Sequence, residues 1–182
     1  KSKIMLDQIL DDCKKQLSAA LKHKKHPFRF FTLATQNQNG KINLRTVVLR
    51  DFDPEQMTFT IFTDARSKKV KELNENTHSQ FLFYDSKRMI QLLILSKVKE
   101  IRHQESTYNI IPDANKKDYS SIQIPGSPIK GPDIVGHDFS KSFFTKIIFQ
   151  SSSLEYLRLK RPNHIRAIFN SDDLWSGQFL VP

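Results

Sequence analysis

The chain opens on a helical pattern. Ile4, Met5, Ile9, Leu10, Cys13, Leu17, Ala20 and Leu21 recur every three or four residues, which draws one apolar stripe and predicts a helix within residues 1–24. Asp7, Asp11 and Asp12 come early in it and Lys14, Lys15 and Lys22 late, the order that complements a helix dipole. From Phe28 the period becomes two. Strands are predicted over 28–35 and 41–50, joined by a turn at 36–40 whose Asn39-Gly40 tolerates positive φ, with a third over 57–63 after a break at Asp53-Pro54. Val70 and Leu73 set against lysines and glutamates predict a short helix over 67–76. A second hairpin follows over 81–84 and 89–101, turning at Asp85 to Arg88. A short helix over 105–111 stops at Pro112, and 115–138, rich in proline and glycine, reads as a long irregular loop of the kind that often carries function. Closing strands are expected over 143–149, 154–159, 165–169 and 175–181. Regular strand–helix alternation is missing, so the pattern predicts one mainly β domain with inserted helices over 1–182, a closed or partly open antiparallel barrel.

Composition narrows the function classes. The 182 residues carry 29 Lys and Arg against 19 Asp and Glu, a net charge of +10, so anions are attracted without a choice among nucleic acid, lipid and phosphorylated small molecules. Cys13 lies on the helical stripe and reads as packing, not as a nucleophile. A single cysteine and an N-terminal segment that mixes acidic with apolar residues favour a soluble, cytoplasmic protein, and no stretch is long and apolar enough for a membrane helix. The six histidines show no zinc spacing, so no metal is expected. Glycine-rich dinucleotide, Walker and nucleophile-elbow motifs are absent.

The segment Thr63-Asp64-Ala65-Arg66-Ser67-Lys68-Lys69 leaves a strand and enters a helix. Free backbone N–H groups at the helix start would sit beside hydroxyls and three cations, an arrangement suited to phosphate. Alternation places Arg45 on the same strand face as Val47 and Leu49, where a charge needs a partner. Gln91 shares a face with Met89, Leu93 and Leu95, where its amide needs hydrogen bonds. Trp175 reads as a core anchor. The basic run Lys22-His23-Lys24-Lys25-His26 reads as a solvated helix end, and as the start of an alternative in which a basic barrel without enzymatic activity binds nucleic acid.

Arg45-Thr-Val-Val-Leu-Arg50, Phe62-Thr63-Asp-Ala-Arg-Ser67-Lys68-Lys69-Val and Gln91-Leu-Leu-Ile-Leu-Ser-Lys-Val-Lys-Glu100 together resemble the pyridoxamine 5′-phosphate oxidase family. The ending Trp175-x-x-x-Phe-Leu180-x-Pro182 is similar to that family's C-terminal motif. The resemblance implies a split β-barrel that binds FMN at a homodimer interface. It also implies that Arg45, Ser67, Lys68 and Lys69, assisted by Thr63, hold the flavin phosphate. Thr46, Val47, Val48, Leu49, Arg50 and Phe62 would line the flavin, and Gln91 would hydrogen-bond its ring. Arg50 is also compatible with a substrate phosphate. The family's other substrate residues are remodelled: Leu157 stands in place of a Trp, His164-Ile165-Arg166 in place of an Arg-x-His pair, and Phe179 in place of an Arg. Tyr108 and Ser120 or Ser121 are loose substrate candidates beside His164 and Arg166. Ile124-Pro125-Gly126-Ser127-Pro128 is similar to the branch of related FMN-binding proteins with undefined substrates. The expected activity is therefore a flavin-dependent oxidoreductase with no assignable catalytic residue. True oxidation of pyridoxamine phosphate is the alternative, with Lys116, Lys117 or Lys130 of the loop supplying the missing cations.

Overall fold

The structure, a computed structural model, describes residues 2–103 and 105–182. Helix α1 (Ser2–Lys22) packs Leu6, Cys13, Leu17 and Ala20 against the barrel. Leu6 replaces Ile4 and Met5, which are exposed, so the buried stripe starts later than the spacing predicts. The first turn carries no acidic residue; Asp12 acts instead through a 2.6 Å ion pair with Arg88. Arg29, in the 3-10 turn that follows Pro27, donates to the Ala20 and Leu21 carbonyls and so satisfies orphan acceptors at the helix end. That turn delays the first strand to Phe30.

Nine strands form one antiparallel sheet. They are β1 (Phe30–Gln36), β2 (Ile42–Val48), β3 (Asp51–Asp53), β4 (Thr58–Asp64), β5 (His78–Asp85), β6 (Ile90–Arg102), β7 (Phe144–Arg158), β8 (Ile165–Asn170) and β9 (Gly177–Leu180). Their order is β2-β1-β5-β6-β7-β4-β3, with β8 paired to β7 and β9 to β8. Two corrections follow. Asp51–Asp53 pairs with β4 and does not merely break the run. The two closing strands expected over 143–149 and 154–159 are one strand: the serines at 151–153 mark no turn but stay in the ladder, where register shifts at Leu95/Ser96 and Val98/Glu100 bend the β6–β7 pair and curl the sheet. β9 begins at Gly177 because Leu174 and Trp175 take left-handed backbone conformations. A Cβ at Gly177 would stand 2.5 Å from the Phe169 ring.

Helix α2 (Lys68–Glu75) links β4 to β5. Helices α3 (Glu105–Ile110) and α4 (Asp113–Lys116) begin the long connection to β7, which is otherwise mostly irregular. The core is phenylalanine-rich. β5 alternates strictly, turning Phe81 and Phe83 inward, and their rings meet Phe31, Phe59 and Phe149 with centroids 4.6 to 6.1 Å apart. Cys13 is buried in this core, and burial raises its thiol well above the ordinary range. Trp175 packs on its margin. Phe83→Ala is expected to cost about 3–5 kcal/mol in urea unfolding with an unchanged m-value; a loss below about 1 kcal/mol would mean the ring cluster is not the keystone of the core.

Candidate functional site

The corner between β4 and α2 is built by local chemistry. Asp64, buried at the end of β4, accepts from the Arg66 backbone N–H at 2.8 Å and pairs with its guanidinium at 2.6 Å. Arg66 then reaches the Ser121 carbonyl at 2.8 Å and lies 3.4 Å over the Phe143 ring. This cation pins the long connection and is withdrawn from the phosphate corner that the sequence assigned to it.

The remaining residues converge. Ser67 is the N-cap of α2, yet its hydroxyl makes no capping bond and stands 3.3 Å from the Thr63 hydroxyl. Lys69 donates to that same Thr63 oxygen at 2.9 Å. Burial and then the neighbouring Arg45 guanidinium push the Lys69 ammonium below its ordinary pKa, against the opposing pull of Asp64 and Glu72. On β2, Arg45 shares the inner face with Val47, as alternation predicts, and bonds the Leu33 carbonyl and the Thr35 hydroxyl. Its carboxylate partner is Glu72 of α2, at 3.1 Å and only 2 % exposed. Asn43 donates to Glu72 at 2.6 Å, and Lys68, largely exposed, lies 3.9 Å from it. Glu72, Thr35 and Asn43 were missed in the sequence. The available signal was the alternation that sets Thr35 on the same inward face as Leu33 and Asn43 on that of Arg45.

Other predicted residues fall elsewhere. Leu49 is fully buried in the core and its N–H bonds the Arg29 carbonyl, while Thr46 is exposed on the outer side of β2 and Val48 lies beside it. Arg50 lies 5.6 Å from the Phe62 ring, which packs with Phe144 and, through it, with Tyr108 and Tyr119. Burial raises the Tyr119 phenol while Arg50 pulls it down. The Tyr108 and Ser120 hydroxyls nearby in the chain fold are buried without a partner among the described residues. Gln91 sits on the outer sheet face, opposite in side to Arg45, in register with Tyr84 and Leu157. Leu157 is in turn paired with Arg166, which is held by Glu155 at 2.8 Å. The His164 ring accepts from the Lys160 N–H. One chain therefore presents a cationic corner and, on the opposite sheet face, Gln91 in line with Leu157 and Arg166. An open groove of about 930 Å3, lined in part by Ile42, Leu44, His78 and Leu95, contains none of them.

A cluster of Arg45, Lys69, Thr63, Ser67 and a helix start offers donors, and the Lys69 ammonium, which burial and Arg45 push below its ordinary pKa, forms no ion pair among the described residues. That donor set fits a phosphate. A family model described as pyridoxamine 5′-phosphate oxidase, FMN-binding domain, matches residues 11–102. The chain belongs to this FMN-binding family. A pyridoxine/pyridoxamine 5′-phosphate oxidase of Nostoc punctiforme is 33% identical over 151 residues, 81% of this chain and 66% of the relative. One from Nostoc sp. is 34% identical over 77 residues, 42% of this chain and only 35% of the relative, so the chain aligns with about a third of that protein's length. Among solved structures, a pyridoxamine 5′-phosphate oxidase-related FMN-binding protein of Nostoc punctiforme superposes with a TM-score of 0.75 at 18% identity, covering 94% of this chain and 96% of the other. PhzG of Burkholderia lata, in complex with tetrahydrophenazine-1-carboxylic acid, gives 0.72 at 17% identity over 93% and 90%. The fold is thus the FMN-binding split barrel. Nothing found supports the nucleic-acid reading.

The lowered Lys69 value sets a pH dependence. The unfolded chain binds this proton more tightly than the folded one, so the charge costs stability at neutral pH, and stability is regained as pH rises through the folded value. Lys69→Met is expected to raise the Tm of the ligand-free protein at pH 7 by about 2–4 °C, the shift that about 1 kcal/mol produces in a chain of this size. The gap to wild type should narrow toward pH 10. A drop in Tm at pH 7 would show that the Thr63 bond outweighs the buried charge.

Proposed function

We propose that the chain is an FMN-dependent oxidoreductase, working as a homodimer, whose substrate is a small anion other than pyridoxamine phosphate. The observation that carries the reading is the phosphate corner, where Lys69 and Arg45 lie close together and, among the described residues, no carboxylate forms an ion pair with Lys69. When bound, the flavin supplies the redox chemistry. Arg45, Lys68 and Lys69 would hold its phosphate with Ser67 and Thr63, by charge-assisted hydrogen bonds. Phe62 would border the ring, and Gln91 of a second protomer would orient it.

The split between the corner and the Gln91 face supports a dimer, since one chain does not bring the two together. So does the outer sheet face, where Phe30, Ile42, Leu44, Leu82, Tyr84 and Leu95 are exposed on neighbouring strands. A continuous apolar surface of this kind is characteristic of an interface. For the substrate, Arg50 stands over an aromatic nook, and the partnerless Tyr108 and Ser120 hydroxyls offer further bonds. Arg166 and His164, by contrast, are engaged within the chain. Few cations are left for a dianionic vitamin phosphate, and misplacement by about 1 Å can cost on the order of a hundredfold. PhzG, which has this fold, was solved in complex with tetrahydrophenazine-1-carboxylic acid, a ligand other than pyridoxamine phosphate.

Two measurements test this. Arg45→Ala should weaken FMN by roughly 10- to 150-fold, the equivalent of about 1.5–3 kcal/mol for bonds to a charged group, and leave riboflavin almost unchanged, read by quenching of flavin fluorescence. Equal weakening of both would remove Arg45 from the phosphate. With FMN bound, oxygen-dependent formation of pyridoxal phosphate should stay far below the enzyme median of about 10 per second; turnover at that level would restore the vitamin oxidase.

A further inference from the structure

Two buried carboxylates stand at the phosphate corner: Asp64 is paired with Arg66, and Glu72, which binds Arg45, has both of its oxygens committed. Oε2 accepts from the Thr35 hydroxyl and from Arg45, and Oε1 accepts from Asn43 with Lys68 beyond it. A buried ion pair is weak evidence for stability, because desolvating two charges offsets most of their attraction. Holding Arg45 against the floor of the sheet also restricts its side chain, whose freedom otherwise has to be lost on binding. Asp64 is neutralised by Arg66, so the corner's remaining groups are three cations, Arg45, Lys68 and Lys69, and Glu72, and their net charge is two. A phosphate monoester carries nearly two negative charges at pH 7, and its second ionisation lies near 6.

We propose that Glu72 is a positioning residue and internal counter-ion of this corner: its carboxylate fixes Arg45, and it matches the site's charge to a phosphate monoester dianion. The proposal rests on the FMN reading above. Its second consequence concerns Lys69. Burial and then Arg45 disfavour the Lys69 proton, while Asp64 and then Glu72 favour it. The Glu72 carboxylate therefore keeps the empty site ready for an anion. Without it, Arg45 loses its own carboxylate, Asp64 alone opposes the effect of Arg45 on Lys69, and Lys69 loses its proton at lower pH.

Glu72→Gln preserves shape and an acceptor for Arg45 while deleting the charge. In the ligand-free variant the Lys69 side-chain NMR signal should titrate below that of wild type. FMN affinity, followed from pH 7 to 9 by fluorescence quenching, should fall at least tenfold in Glu72→Gln and less than threefold in wild type, with riboflavin flat in both. Glu72→Asp keeps the charge with a shorter reach, so it should weaken FMN but retain the wild-type pH profile; it also serves if the glutamine variant does not fold. A Glu72→Gln profile identical to wild type overturns this inference alone, as does a Glu72→Asp variant that loses riboflavin and FMN in parallel. Wild-type protein with no preference for FMN over riboflavin overturns the FMN reading and this inference together.

Discussion

The architecture depends on one strand meeting several partners at once. β7 runs 15 residues, pairs with β6 along nearly its whole length, with β4 through its first half and with β8 through its second. A strand has only two edges, so β4 and β8 must share one, and the sheet has to diverge where they part. The register shifts against β6 provide that divergence, bending the pair so that one side curls toward β4 and the other carries β8 and β9. Inside the curl the phenylalanines of β1, β4, β5 and β7 fill the space that the bend encloses.

The curl also creates the chemistry. It brings the end of β4 and the start of α2 next to β2, so that groups distant in sequence share one small volume. Positive charge accumulates there at a cost to the empty protein, recorded in the depressed Lys69 ammonium. Asp64 and Glu72 divide the compensation between them. Asp64 takes Arg66 away toward the long connection, and Glu72 restrains Arg45, so the two acids leave Lys69 bonded only to a neutral hydroxyl.

Long connections tend to be variable, and this one is tied down at few points. Arg66 holds its middle, Tyr119 accepts at its carbonyl from Phe143, and Tyr108 and Tyr119 pack on Phe144. Among the described residues the buried hydroxyls of Tyr108 and Ser120 in this connection have no hydrogen-bond partner.

Much of this was legible in the chain itself. Period-two alternation over β5 and the three-to-four spacing over α1 dictate inward faces whatever their partners, because a side chain's direction follows from backbone geometry. Arg45 among apolar neighbours, and the cations entering α2, were readable for the same reason. Other features belong to the tertiary structure. Whether the serines at 151–153 end a strand depends on β6 offering a ladder to continue in, and whether Ile4 or Leu6 is buried depends on where β9 crosses the helix. Arg66 and Lys69 look alike in sequence, three residues apart; only the positions of Asp64, Ser121 and Phe143 make one a structural tether, while the other donates to the Thr63 hydroxyl. Glu72 looked like an ordinary solvated residue of an amphipathic helix until β1 and β2 folded over it, since the energy of a buried charge is set by its surroundings in space and not by its neighbours along the chain.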